Sequence, residues 1–281
     1  MKKTILVLLM CLVVSASTVS YQVTKKIPIP GQGGWDYLTI DEAARRLYVS
    51  HETQVEVLDV DSGAIVGRVL NTPGVHGIAI AADLGRGFVS NGLASTVTLF
   101  DLKTLKPIAE VPTGKKPDAI IFDPATSRVF AFNGESNSAT AIDAATGKVA
   151  GTVALGGGPE FAAADATGFV YNNLEDQNQV VKIDSRKLTI VQRWPTAPCS
   201  SPSSMTIDRA SSRLFIGCRS KVMAVMNADT GKVITTLPIG VHVDAAVFDS
   251  DTHLIFNSNG EGTVSVISRG QPGQVFSTRY H

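Results

Sequence analysis

The chain has 281 residues, with 25 Lys and Arg against 25 Asp and Glu, 44% hydrophobic residues and only 18% charged ones. Balanced charge and a large apolar share describe a compact soluble protein with much buried surface. No basic cluster interleaved with aromatic residues occurs, so the electrostatic footprint of a nucleic-acid binder is missing. Beyond residue 20 no apolar run reaches the roughly 18 residues needed to span a bilayer.

The first element, "MKKTILVLLMCLVVSASTVS", places two lysines before an apolar run from Ile5 to Val14, followed by small residues suited to cleavage near Ala16 or Ser20. This is the pattern of a secretory signal, and residues 1–20 are set aside from the fold. Lipidation at Cys11 is a poorer reading, because Met10 is bulky where a small residue is wanted. The mature chain is expected in the periplasm or secreted, an oxidising setting in which the two remaining cysteines, Cys199 and Cys218, can hold a disulfide.

From Tyr21 onward the chain repeats. "VEVLDVDSGAIVGRV", "ATAIDAATGKVAGTV" and "VMAVMNADTGKVITTL" each read as an apolar strand, a polar turn and a second strand. The polar residue ending the first of these strands falls at Asp59, Asp101, Asp143, Asp184, Asn227 and Ser268, a spacing of 41 to 43 residues. A second anchor keeps the same period, with upstream strands ending at Asp41, Ala81, Asp123, Asp165, Asp208 and Asp249. Each of these leads into a short strand such as "RLYVSH" or "RLFIGC". Every unit therefore holds four strands, a to d, with repeats near 31–70, 71–112, 113–154, 155–195, 196–238 and 239–281. Strands such as "IIFD" and "AAVF" are apolar at successive positions, as in a sheet covered on both faces. Six near-equal four-stranded units, with no helical periodicity, predict an all-β propeller forming a single domain over 21–281. A β-sandwich would have no need of the repetition.

"LYVSH", "FVSNG" and "VYNN" stand where a Tyr-Val-Thr-Asn strand is diagnostic, and "IDAATGKVAGTV" and "NADTGKVITTLPIG" match the hairpin that accompanies it. In these segments the chain resembles the YVTN-repeat, YncE-like bacterial periplasmic propellers, with a ring of WD-repeat-like blades. The resemblance spans essentially everything after residue 20. It implies the fold strongly and the function weakly. The family usually closes seven blades, whereas this chain carries six sets of a, b and c strands but seven candidate d strands, "QVTKKIPI" and "GQVFSTRYH" being the terminal ones. Strand exchange would place the N-terminal d strand in a last blade, and the count points to a seven-bladed ancestor that lost that blade's inner strands. The alternative is six closed blades with one d strand displaced.

Aligned on strand a, the residue five before its end is Asp36, His76, Asp118, Glu160, Ser203 or Asp244. All are polar, and in a propeller they should ring one mouth of the central channel. Strand order puts the d-to-a loops and b-to-c turns on the same face, adding His51 and His242. The asparagines at the end of strand b (Asn91, Asn133, Asn259 and Asn172 or Asn173) read as structural, because Asn-Gly tolerates positive φ in a turn. Cys199, in a d-to-a loop, and Cys218, ending the adjacent strand b, reach the same face and are expected to pair.

Four carboxylates around one channel repel by about 2 kcal/mol per pair at roughly 8 Å and an effective dielectric near 20. They call for water, a bound divalent cation (calcium or magnesium from the oxygen-rich set), a basic ligand group or raised pKa values. No nucleophile elbow, His-Glu-x-x-His helix or phosphate loop is present, and no catalytic residue is identified. The leading expectation is a monomeric exported module that binds a protein or small ligand through Asp36, His76, Asp118, Glu160, Ser203, Asp244, His51 and His242. The rival is a metal-assisted lactonase- or lyase-like enzyme at the channel mouth.

Overall fold

A computed structural model describes residue 21, residues 23–268 and, for the backbone alone, residues 275–279. The segments expected to be a signal and the terminal "RYH" lie wholly or partly outside the described residues. Among those described, no helix is long and apolar enough to cross a membrane.

Twenty-four strands form six antiparallel sheets of four, each running in chain order from inside to outside. The first blade is β1 (Trp35–Asp41), β2 (Arg46–His51), β3 (Gln54–Asp59) and β4 (Ile65–Leu70). The second is β5 (Val75–Ala81), β6 (Arg86–Asn91), β7 (Thr96–Asp101) and β8 (Pro107–Pro112). The third is β9 (Pro117–Asp123), β10 (Arg128–Asn133), β11 (Ser138–Asp143) and β12 (Val149–Ala154). The fourth is β13 (Pro159–Ala164), β14 (Phe169–Leu174), β15 (Gln179–Asp184) and β16 (Thr189–Pro195). The fifth is β17 (Pro202–Asp208), β18 (Arg213–Cys218), β19 (Val222–Asn227) and β20 (Val233–Pro238). The sixth is β21 (Val243–Asp249), β22 (Leu254–Asn259), β23 (Thr263–Ser268) and β24 (Val275–Arg279). The protein is a six-bladed β-propeller, with two single-turn 3₁₀ segments as its described helical pieces.

The repeat anchors are turn devices. Asp59, Asp101, Asp143, Asp184 and Asn227 each accept, through a side-chain oxygen, the backbone N–H of a residue two or three further on, closing the c-to-d hairpin. Their period survives in the sequence because each hairpin needs the same local hydrogen bond.

Between blades the packing is apolar. Ile78 of β5 packs with Tyr48, Val55 and Val57 of the first blade, while the next residue, Ala79, packs with Ile120 and Val129 of the third. Successive residues of an inner strand thus face opposite neighbouring blades, which accounts for the uninterrupted apolar runs. The inner strands of blades one to six pack consecutively.

The remaining sector, between the sixth and first blades, is different. Leu38, the counterpart of Ile78, is 63% exposed where Ile78 is 2%, and Val247, the counterpart of Ala79, is 58% exposed where Ala79 is 5%. The N-terminal stretch expected as a d strand is not one: residues 23–34 pair with no sheet, and blade six takes β24 as its outer strand. A d strand requires a neighbouring c strand, and all six are already occupied. Six blades are present with the N-terminal d segment displaced from every sheet, and the inner strands of the sixth and first blades do not close on each other as the other neighbours do. That segment crosses the sector instead. Tyr21 packs edge-on against Phe256 at 5.5 Å, the same separation as the Phe215 and Phe248 pair between blades five and six, and Lys25 Nζ donates to the Ser62 carbonyl on the outer hairpin of blade one.

Candidate functional site at the channel mouth

All six inner strands carry the same irregularity. Between Trp35 and Leu38, Val75 and Ile78, Pro117 and Ile120, Pro159 and Ala162, Pro202 and Ser204, and Val243 and Ala246, the inner strand has one residue more than its partner. A bulge re-aims the side chains beside it, and each bulge contains one of the polar positions picked out by the repeat. The freed backbone groups are satisfied from strand b: Tyr37 N–H donates to Ser50 Oγ, Gly77 N–H to Ser90 Oγ and Ala245 N–H to Ser258 Oγ. Ser90 Oγ also donates to the Asp118 carbonyl, tying the bulge of blade two to that of blade three.

Three of the polar residues come together as a group. His76 Nδ1 lies 2.6 Å from Asp36 Oδ2, to which it donates, and 3.8 Å from Asp118 Oδ1. One ligand atom from each of Asp36, His76 and Asp118 lies within 4.8 Å of the others. The hydrogen bond to Asp36 holds the imidazole pKa above its ordinary value, against the opposing effect of burial. Burial raises the Asp118 carboxyl, with His76 pulling it back and Asp36 adding to the rise.

Glu160 lies in a neighbouring hollow of about 470 Å³ that also contains Asp118, Glu135, Glu175 and Asp176 against the single cation Lys116. Burial first, then the nearby Glu175 and Asp118, push Glu160 up to about 8. Glu175 is in turn gripped by Arg219, which draws it toward the fifth blade. Asp244, on the other side of the mouth, is raised by burial and by Asp36, with Arg219 pulling it back. It makes no hydrogen bond or ion pair among the described residues.

Below the mouth, Tyr37 stacks on Phe161 from across the channel at 5.1 Å and 16°. Burial drives its phenol pKa far up, with Asp118, Asp36, Asp244 and Glu160 adding to the shift. These two rings close off a cavity of about 540 Å³ that reaches the open sector.

Two residues expected at this site are elsewhere. His51 is 5% exposed, lies beneath the Trp35 ring at 3.7 Å and meets the Gln32 carbonyl at 2.9 Å. It backs onto Glu56, which is buried and paired with Arg68. Ending strand b was not enough to put it in the open, because the displaced N-terminal segment covers it. Ser203 is fully buried, and its carbonyl accepts from Asn173 of the fourth blade, so it belongs to a blade interface. His242 is exposed, in left-handed conformation two residues before Asp244. Cys199 and Cys218 form a disulfide with Cα atoms 5.6 Å apart, pinning the loop before β17.

Asn91, Asn133 and Asn259 have a structural role with a different cause from the one their Asn-Gly context suggested. None has positive φ. Each donates through Nδ2 to hydroxyls on strand c, Thr96 and Thr98, Ser138 and Thr140, or Thr263 and Ser265.

The fold has a solved counterpart. Hydrazine synthase of Kuenenia stuttgartiensis superposes with a TM-score of 0.59 at 15% identity, covering 82% of this chain and 94% of that one. This is a likeness of fold alone. No model of a known family and no curated protein matches the sequence.

Tyr37, Phe161, Glu175 and Arg219 had no individual signal in the sequence. Glu175 and Arg219 do sit on b-to-c turns, which strand direction assigns to this face, and counting charges on those turns would have found them.

Proposed function

We propose that this chain is an exported YVTN-repeat, YncE-like propeller that captures a positively charged partner or ligand at its channel mouth. The supporting observation is the convergence of Asp36, Asp118, Glu160 and Asp244 on one face, three of them with raised pKa values and one, Asp244, without a hydrogen-bonding partner among the described residues. Burial and neighbouring acids make the ionised form of these carboxyls costlier, and an arriving cation offsets that cost, so the site favours positive ligands. Export is supported by residues 1–20 and by the Cys199–Cys218 disulfide. The test is calorimetric titration with spermidine as a cationic probe. Asp118→Lys and Glu160→Lys are expected to abolish binding while leaving the melting temperature near that of the parent. Unchanged binding in both variants would sink the reading.

A metal-assisted enzyme is the second reading, favoured by the Asp36, His76 and Asp118 group. An imidazole with two carboxylates suits manganese or zinc better than the calcium or magnesium that oxygen ligands alone would select. Thermal shift with each ion and with EDTA decides: no stabilisation by any of the four ions removes this reading.

A further inference from the structure

The cavity below the mouth opens sideways where the sixth and first blades fail to pack. Its walls include Leu38 from blade one and Val247 and Phe256 from blade six, with Phe161 and Met205 behind, and its polar groups include the Asp36 and Asp244 carboxylates. At about 540 Å³ it falls in the range that encloses small organic ligands, and like such sites it is mostly apolar with a few convergent polar groups.

From this geometry we infer that the cavity binds a small amphipathic organic cation, its apolar body between Leu38 and Val247 and its charged head at Asp244 beside Asp36. The inference deepens the reading of the mouth as a cation-binding face and rests on it. Two mismatches exclude simpler occupants. A purely apolar molecule would cover Asp244 without providing a partner for its charge, which is costly in a low-dielectric site. A compact hydrophilic cation would satisfy the carboxylates but leave Leu38 and Val247 in water. Only a ligand with both features matches both walls. Asp36 is already held by His76, whereas Asp244 makes no hydrogen bond or ion pair among the described residues and can take the ammonium. The Tyr37 ring also lines the cavity, and an aromatic face attracts an organic cation. The side opening lets a ligand enter without displacing the Tyr37 and Phe161 stack.

Isothermal titration of the purified protein with hexylammonium, ethylammonium and hexan-1-ol tests this. Hexylammonium is expected to bind at least tenfold more tightly than either of the others. Leu38→Ser, at an exposed position that the fold tolerates, should weaken hexylammonium at least fivefold and leave ethylammonium unchanged, while Asp244→Asn should weaken both amines. Circular dichroism and melting confirm that the variants fold. Equal binding of the two amines, or a Leu38→Ser variant indistinguishable from the parent, overturns the cavity assignment and leaves the mouth as a plain cation site. No binding of either amine also overturns it, and the spermidine titration of the Asp118 and Glu160 variants then separately decides the fate of the mouth. Sedimentation showing a dimer that buries Leu38 would overturn it too, since a second copy would then fill the sector.

Discussion

The interface between blades one and two and the sector between blades six and one are built from the same repeat positions and end in opposite states. Ile78 and Ala79 are sealed between sheets; Leu38 and Val247, at the equivalent repeat positions of blades one and six, face an opening. Hydrophobic residues at the inner-strand positions are therefore a property of the repeat unit, and whether they contribute to stability depends on whether a neighbouring blade is there to cover them. The carboxylate ring divides along the same line. Asp118 and Glu160 lie in the closed arc, Glu160 facing further acids, while Asp244 borders the opening.

Truncation should expose this difference most clearly. Ile78→Ala is expected to destabilise the protein by about 2–5 kcal/mol, as for large-to-small changes in packed cores, and Leu38→Ala by less than about 0.5 kcal/mol, as for exposed positions. Chemical denaturation of the two variants measures it, and equal losses would mean that the sector is closed in solution. Removing the disulfide by a Cys199→Ala and Cys218→Ala pair should cost about 3 kcal/mol through the entropy of the released loop. The same denaturation curves report it, and the loss should be insensitive to Leu38→Ala because the sites are independent.

The pH dependence refines the comparison of the two arcs. The folded Glu160 carboxyl titrates near 8 against an ordinary 4.5, so the folded state binds the proton more tightly. Its contribution to stability is complete below about 4.5 and is lost as pH rises toward 8. Glu160→Gln is expected to raise the melting temperature at pH 9 and to leave it nearly unchanged at pH 4. The c-to-d turn residues have the opposite sign: Asp59, Asp101, Asp143 and Asp184 are held below their ordinary pKa by backbone N–H donors, or for Asp143 by the Thr146 side chain first. Their contribution is present above about 3.8 and fades as pH falls further. The smallest effect is local. NMR titration should place the His76 pKa above 6.5, and Asp36→Asn should lower it.

The sequence made the blades legible because each rests on short-range chemistry. A hairpin closed by Asp59 or Asn227 needs its acceptor at a fixed offset, and a strand covered on both faces needs apolar residues at successive positions. The same register located the bulge residues Asp36, His76, Asp118, Glu160 and Asp244, and the spacing of Cys199 and Cys218 fitted their pairing. What depends on the meeting of distant segments was not legible. His51 reads like a mouth residue until the N-terminal stretch and Trp35 fold over it, and Ser203 until Asn173 of another blade claims its carbonyl. Tyr37 meets Phe161 only because blades one and four face each other across the channel. The repeat itself determined what each blade is; closure of the ring, a relation between residues at opposite ends of the chain, was decided by the tertiary structure, since no local hydrogen bond or periodicity encodes whether a neighbouring sheet will be present to cover Leu38.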